Sequence, residues 1–240
     1  MRNRFPVTLW LTLVALVAAL ALPARANTWP LPPPGSRLVG QNQFHVVQDD
    51  GGSLEAIAKK YNVGFLALLQ ANPGVDPYVP RAGSVLTIPL QTLLPDAPRE
   101  GLVINLAELR LYYYPPGKNE VTVYPIGIGM RVSSGCIRLR DNDIKALYNT
   151  ISPGTKVNII NTPIKASVEP DGRRLVEVHQ PLSEHIDDDP QTLPITLNAA
   201  MTAFKQAPQT DGPVMERAMN YRSGMPIDVT RHADPGPQSL

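Results

Sequence analysis

The 240-residue sequence predicts an α+β chain: a small strand–helix–helix–strand module, a mostly β domain, and a helical or loose C-terminal extension. Three observations predict it. Between residues 43 and 89, two short alternating segments bracket two segments of helical spacing. Between 101 and 128, three runs rich in branched and aromatic residues are separated by turn formers. Beyond Pro181 neither pattern persists.

Composition narrows the function classes. A hydrophobic content of 43% suits a chain with a core, and a net charge of +1 gives no basic excess for nucleic acid. The 26 prolines exceed average usage and cluster at Pro30–Pro34, Pro73–Pro98 and the C-terminal third, which marks connections rather than elements. Arg2 and Arg4, the apolar run Phe5–Leu22 and the Ala24-Arg25-Ala26 box predict a cleaved signal peptide over 1–26 and a periplasmic destination. One cysteine, Cys136, excludes an intramolecular disulfide framework.

The elements follow in order. Residues 27–42 are a Pro-rich lead-in, with Trp29–Ser36 extended and polyproline-like. Phe44–Gln48 alternates as a strand, Asp49-Asp50-Gly51-Gly52 is a turn, and Ser53 is a helix N-cap. Leu54, Ile57, Ala58 and Tyr61 lie on one helix face; Asn62-Val63-Gly64 breaks the chain. Phe65, Leu68 and Leu69 make a second helix, ended by Asn72-Pro73-Gly74, and Val85–Ile88 is a strand closed by Pro89. Residues 90–98 read as a linker. In 99–182, strands are expected at Leu102–Leu106, Leu109–Tyr114 and Val121–Ile128, with turns at Asn105–Glu108 and Pro115–Asn119. A helix starts at Asp141, with Ile144, Leu147 and Tyr148 inward, and Ser152-Pro153-Gly154 stops it. Lys156–Ile160 is a strand, and Ile164–Val168 with Leu175–Val178 forms a hairpin about Asp171-Gly172. Residues 183–240 are the extension, Pro/Gly-rich from Ala233.

Chemistry concentrates at Met130–Arg140. A thiol attacks as its thiolate, which fixed positive charge favours, and Arg131, Arg138 and Arg140 flank Cys136. The backbone N–H groups of Gly135 and Cys136 are placed to face an oxyanion if Gly135 makes a tight turn. The plain alternative is a small buried hydrophobe, the commoner state of a lone cysteine. Scattered histidines and one cysteine form no metal constellation, and no cofactor is expected. The glycines of Tyr124–Met130 sit in a strand pattern, not a phosphate loop.

The module at 43–89 resembles LysM. The likeness lies in the strand before Asp49–Gly52, the helix Ser-Leu-Glu-Ala-Ile-Ala-Lys-Lys-Tyr, Leu-Leu-Gln-Ala-Asn before the loop, and Gly83 leading into Val-Leu-Thr-Ile-Pro. The resemblance implies binding of N-acetylglucosamine-containing glycans, peptidoglycan above all, in a groove holding Asp50, Gly51, Gly52, Asn72 and Pro73. The alternative is that these residues only make turns.

The rest of the mature chain resembles a bacterial L,D-transpeptidase with a YkuD-type catalytic domain. The likeness runs through Ile104–Tyr112, Tyr124-Pro-Ile-Gly-Ile-Gly129, Ser134-Gly135-Cys136 and Glu169–Leu182. It implies that Cys136 attacks a stem tetrapeptide at its third residue, releases D-alanine and forms a thioester. An amine of a second stem, or of an outer-membrane lipoprotein, then takes the acyl group. It further implies Gly135 and Ser134 in the catalytic turn, Arg138 and Ser133 at the substrate, and acylation of the thiol by carbapenems. The chain departs from the family where Gly129 runs straight into Met130. Family members carry several strands and a His-Gly-Thr histidine there, whereas His45, His179, His185 and His232 lie in other contexts. Two readings follow: an L,D-transpeptidase of doubtful activity, and a non-catalytic peptidoglycan binder with a remnant transferase domain. A sheet short of strands is expected to leave open edges and an unfilled core in 99–182.

Overall fold

The computed structural model describes residues 27–128, 136–183, 185 and 187–232. The expected signal peptide, the Gly129–Met130 junction, Arg131, Ser133, Ser134, Gly135 and the tail from Ala233 lie outside the described residues. In chain order the elements are β1 (Asn27–Pro30), β2 (Leu38–Val39), β3 (Gln43–Val46), α1 (Leu54–Lys60), α2 (Phe65–Ala71), β4 (Val85–Ile88), β5 (Thr92–Leu93), β6 (Gly101–Asn105) and β7 (Arg110–Tyr114). There follow β8 (Glu120–Pro125), β9 (Gly127–Ile128), β10 (Ile137–Arg138), α3 (Asp141–Tyr148), β11 (Val157–Ile160), β12 (Ile164–Val168), β13 (Arg174–Val178), α4 (Ala199–Gln206), α5 (Gly212–Tyr221) and β14 (Pro226–Asp228).

The small module forms as its pattern predicts. β3 and β4 pair antiparallel, with Phe44 opposite Thr87. Ser53 caps α1 by accepting from Ala56 N at 3.3 Å. Leu54, Ile57, Ala58, Leu68, Leu86 and Ile88 close the core between sheet and helices.

The central sheet has the order β1-β8-β7-β6-β11, with β11 parallel to β6 and the other neighbours antiparallel. Period-2 alternation sends β7 side chains to both faces, and both are covered. Tyr112, Tyr114, Val103, Val121 and Val123 pack with Leu94 and Val39. Leu111, Tyr113, Leu102, Ile104 and Tyr124 pack under Leu147 of α3. Gly101 stands where a Cβ would come within 2.4 Å of Lys156 O, at φ +60°, so a glycine there lets β11 reach β6.

Three expectations need correction and a fourth an addition. Asn27–Pro30 is not lead-in but an edge strand, pairing Trp29 with Val121 because the bulky ring finds cover beside Gly40. The stretch 90–98 holds β5, paired with β2, and Leu93 and Leu94 are fully buried. Of the three residues expected inward on the helix, only Leu147 is buried; Ile144 and Tyr148 are exposed, since α3 meets the sheet along one narrow line. The described part of the extension is helical, as one of the two expected states, and also adds a strand: β14 joins β13, and α4 and α5 bury Met201, Met215 and Ala218 against Val176 and Val178.

Candidate active site

Cys136 is exposed and stands immediately before β10, whose two residues pair with β9 as Ile137 to Ile128 and Arg138 to Gly127. The buried-hydrophobe alternative is therefore set aside. Ser133, Ser134 and Gly135 lie outside the described residues. The two described arginines diverge. Arg138 is exposed and lines a cavity. Arg140 spends its guanidinium on the LysM-like module, donating to Val63 O at 2.8 Å and Asn62 Oδ1 at 3.1 Å. It does not serve as the free charge beside the thiol that the sequence spacing suggested.

The cavity measures about 650 Å³ and lies where three parts meet. Val63, Phe65 and Leu66 of the small module and Leu109, Val123 and Ile126 of the sheet make an apolar wall. Glu108, Arg110, Arg138, His179 and Gln180 supply the polar side. The cavity lies at the ends of β7 and β8, and not within the sheet.

Behind the polar side is a buried charge cluster drawn from β5, β6, β7, β12 and β13 and the loops beside them. Glu177 accepts from Arg110 Nη1 at 2.6 Å, Leu93 N at 2.6 Å, Thr92 Oγ1 at 2.9 Å and His179 Nε2 at 2.7 Å. Lys165 Nζ lies 3.0 Å from Glu108 Oε1 and 3.2 Å from Glu177 Oε1. Tyr112 OH and Asn105 Nδ2 both donate to Glu108. Burial alone would raise the Glu177 carboxyl, but Lys165 and Arg110 hold it well below the usual range. Burial pushes His179 down, and the bond to Glu177 pulls it only part of the way back, so its ring is neutral near pH 7. Glu108, Glu177 and His179 come within 4.8 Å of one another, as metal ligands would. The space a cation would take is already held by Arg110 and Lys165, so this donor set is saturated. Sequence reading passed over this cluster: Glu108 reads as a turn residue, and Glu177 sits within a strand with nothing nearby in sequence to mark its partners.

His45 Nδ1 bonds Tyr61 OH at 3.0 Å inside the small module, and His185 and His232 are exposed in the C-terminal part. Among the glycan-groove candidates, Asp50, Gly51 and Pro73 are exposed and Gly52 is half-buried. Gly52 N donates to Asp50 Oδ1 at 2.9 Å, an Asx turn. Asn72 is buried, and its amide is committed to the fold. It donates to Leu68 O and Thr87 O at 2.8 Å each, and accepts from Thr87 N at 2.7 Å. Two large apolar residues that sequence reading missed, Tyr78 and Val79, are 81% and 71% exposed on the same module. Their N–H groups donate to Asp76 Oδ1 at 2.8 and 3.0 Å, and Leu54 N donates to Pro77 O at 3.0 Å, which draws this turn against the start of α1.

Family profiles match three consecutive parts of the chain. A LysM domain spans residues 44–89, an L,D-transpeptidase catalytic domain 128–159, and an L,D-transpeptidase C-terminal domain 163–229. The probable L,D-transpeptidase YcfS of Escherichia coli K12 is 59% identical over 312 aligned positions, covering 96% of this chain and 97% of that protein. The probable L,D-transpeptidase YbiS of the same strain is 36% identical, over 85% of this chain and 92% of its own. The probable L,D-transpeptidase ErfK/SrfK of Salmonella typhimurium is 35% identical, over 90% and 94%. Because 96% of 240 residues is about 230, about 80 of the 312 positions aligned with YcfS face no residue here. The catalytic-domain match begins at Ile128, beside the Gly129–Met130 junction. The chain belongs to the L,D-transpeptidase family.

Proposed function

We propose that the chain acts on peptidoglycan in the periplasm, with Cys136 as an acyl-accepting thiol and the LysM module as its glycan anchor. The observation that carries this reading is an exposed lone thiol in the Ser-Ser-Gly-Cys-Ile-Arg segment of a family member. The thiolate of Cys136 attacks the carbonyl carbon of the third stem residue. The peptide bond to the terminal D-alanine breaks, D-alanine leaves with a proton on its amine, and a thioester remains. A second amine then attacks the thioester carbonyl, forms an amide and returns the thiol. The acceptor is a second stem or an outer-membrane lipoprotein. The backbone N–H groups of Gly135 and Cys136 stabilise the oxyanion, and Ser133 and Ser134 shape the turn. Exposed Arg138 holds the substrate carboxylate at the mouth of the cavity. The apolar wall of Phe65, Leu66 and Val123 takes the body of the stem. The sugar chain lies between the Asp50–Gly52 turn and the Tyr78–Val79 turn, with the Tyr78 ring as a stacking face. The signal peptide over 1–26 delivers the chain to that compartment.

One observation favours a second reading, a peptidoglycan-binding protein with a dormant transferase half. His179, the histidine that lines the cavity, has its Nε2 engaged by buried Glu177. A thiol without a base reacts only through the few per cent ionised near neutral pH. Incubation of the purified chain with a disaccharide tetrapeptide, followed by assay of released D-alanine, separates the two. Slow release that Cys136→Ala abolishes supports the transferase. No release alongside retained sedimentation with peptidoglycan supports the binder.

A further inference from the structure

β1 and the start of α3 converge on one residue of the LysM module. Asn62 lies between α1 and α2 at φ +50°, a left-handed conformation that asparagine tolerates better than most residues. Both atoms of its amide are used across the junction. Arg140, the residue before α3, donates to Oδ1 at 3.1 Å, and Nδ2 donates to Asp143 Oδ1 at 3.0 Å in the first turn of α3. Its backbone carbonyl accepts from Asn27 Nδ2 of β1 at 2.9 Å. Arg140 reinforces the contact through Val63 O at 2.8 Å and Ala58 O at 3.4 Å. Gly64 meets Pro125, the last residue of β8, with its Cβ position 3.9 Å from the proline ring. A module tethered by a linker would show none of these long-range bonds. Here both of its connections are also fixed, by the β2–β5 pair and by buried Leu93 and Leu94.

Arg140 is four residues beyond Cys136, and β10 fills most of the interval. We infer that Asn62 is the pin of an interdomain clasp through which the LysM module supports the segment carrying Cys136. The module is then part of the scaffold of the thiol as well as a glycan anchor. A movement at the α1–α2 corner is passed to Arg140, and from Arg140 to β10.

Asn62→Gly is the informative variant. Glycine keeps the left-handed backbone without strain, while the amide that joins Arg140 to Asp143 is lost. Arg140→Ala removes the opposite half of the clasp. The full chain is followed by peptide-resolved hydrogen exchange and by the rate at which iodoacetamide alkylates Cys136. Both variants are expected to speed exchange in the 137–148 segment about tenfold. Alkylation is expected to rise about threefold or more, while β4 and β7 stay as protected as in the wild type. Exchange and alkylation unchanged within twofold would overturn the clasp. A uniform rise in all segments would overturn it as well, because Asn62 would then be an ordinary stabilising residue. Titration with chitohexaose reads the glycan proposal separately, and its failure leaves the exchange result intact.

Discussion

Glu177 shows how much one buried residue can decide. It carries a full negative charge with no exposure, which is tolerable only because Arg110 and Lys165 face it and Thr92, Leu93 and His179 supply further donors. Glu177→Gln leaves two buried cations short of a partner. Removing one member of such a cluster costs about 3–5 kcal/mol, so a marked fall in the midpoint of thermal unfolding is expected. Acid should act on the same cluster. His179 is held below its ordinary 6.5, so on acidification the unfolded chain takes up the proton first. Stability contributed by the neutral ring is present above pH 6.5 and is lost as the pH falls from there. Glu177, held below its ordinary 4.5, adds a second loss as the pH falls below 4.5. Unfolding midpoints measured from pH 7.5 to 2.5 should fall in two stages, and His179→Gln should flatten the first while leaving the second. None of this was legible in the sequence. Glu177 sits between Val176 and Val178, within a strand with nothing nearby in sequence to mark its partners. What covers it includes β5, whose Leu93 N donates to it from 84 residues upstream, and local periodicity carries no record of such a pairing.

At the scale of elements, α3 and β11 decide how the sheet is closed. Leu147 is the single deeply buried apolar residue of α3, so Leu147→Ala should cost about 2–5 kcal/mol. Ile144→Ser and Tyr148→Ser, on exposed faces, should stay within about 0.5 kcal/mol of wild type in chemical denaturation. Gly101→Ala would drive a methyl group into Lys156 O and strain a left-handed φ, so β11 should detach from β6. Loss of exchange protection confined to residues 102–106 and 157–160 would register that detachment. Element type was readable wherever the pattern was local: α1 with its Ser53 cap, the β12–β13 hairpin about Gly172, and the three long strands all follow from residues within a few positions of one another. β1 and β14 were not readable. Asn27–Pro30 is too short and too rich in proline to announce a strand. β14 exists only because β13 offers it an edge. Asn198 and Asp211 do cap α4 and α5, and the Asp-Gly-Pro start of α5 was a usable signal that the Pro/Gly content obscured.

Among the described residues, the central sheet is packed on both faces and the cavity lies at its end. β7 is buried along its full length, whereas Val157 and Ile159 of edge strand β11 are each 55% exposed and the cavity of about 650 Å³ lies beyond β8. Among the strand residues of Leu102–Ile128, hydrogen exchange should therefore be slowest in β7 and faster in the two-residue β9 than in β8. Uniform protection would mean that the cavity closes in solution. The candidate site divides the same way. Cys136 and its arginines were legible because a lone cysteine in a Ser-Gly-Cys context is a local feature. The fate of Arg140, turned into the LysM module, and the commitment of Asn72 to the fold depend on contacts between distant parts of the chain. The central claim is that Cys136 accepts an acyl group in this chain. Its most direct measurement is the intact mass of the folded protein after incubation with a carbapenem, beside a Cys136→Ala control. The account predicts one added carbapenem per chain, absent from the control. A folded protein that shows no adduct, while still binding peptidoglycan, would contradict it and leave a LysM binder joined to a silent transferase half.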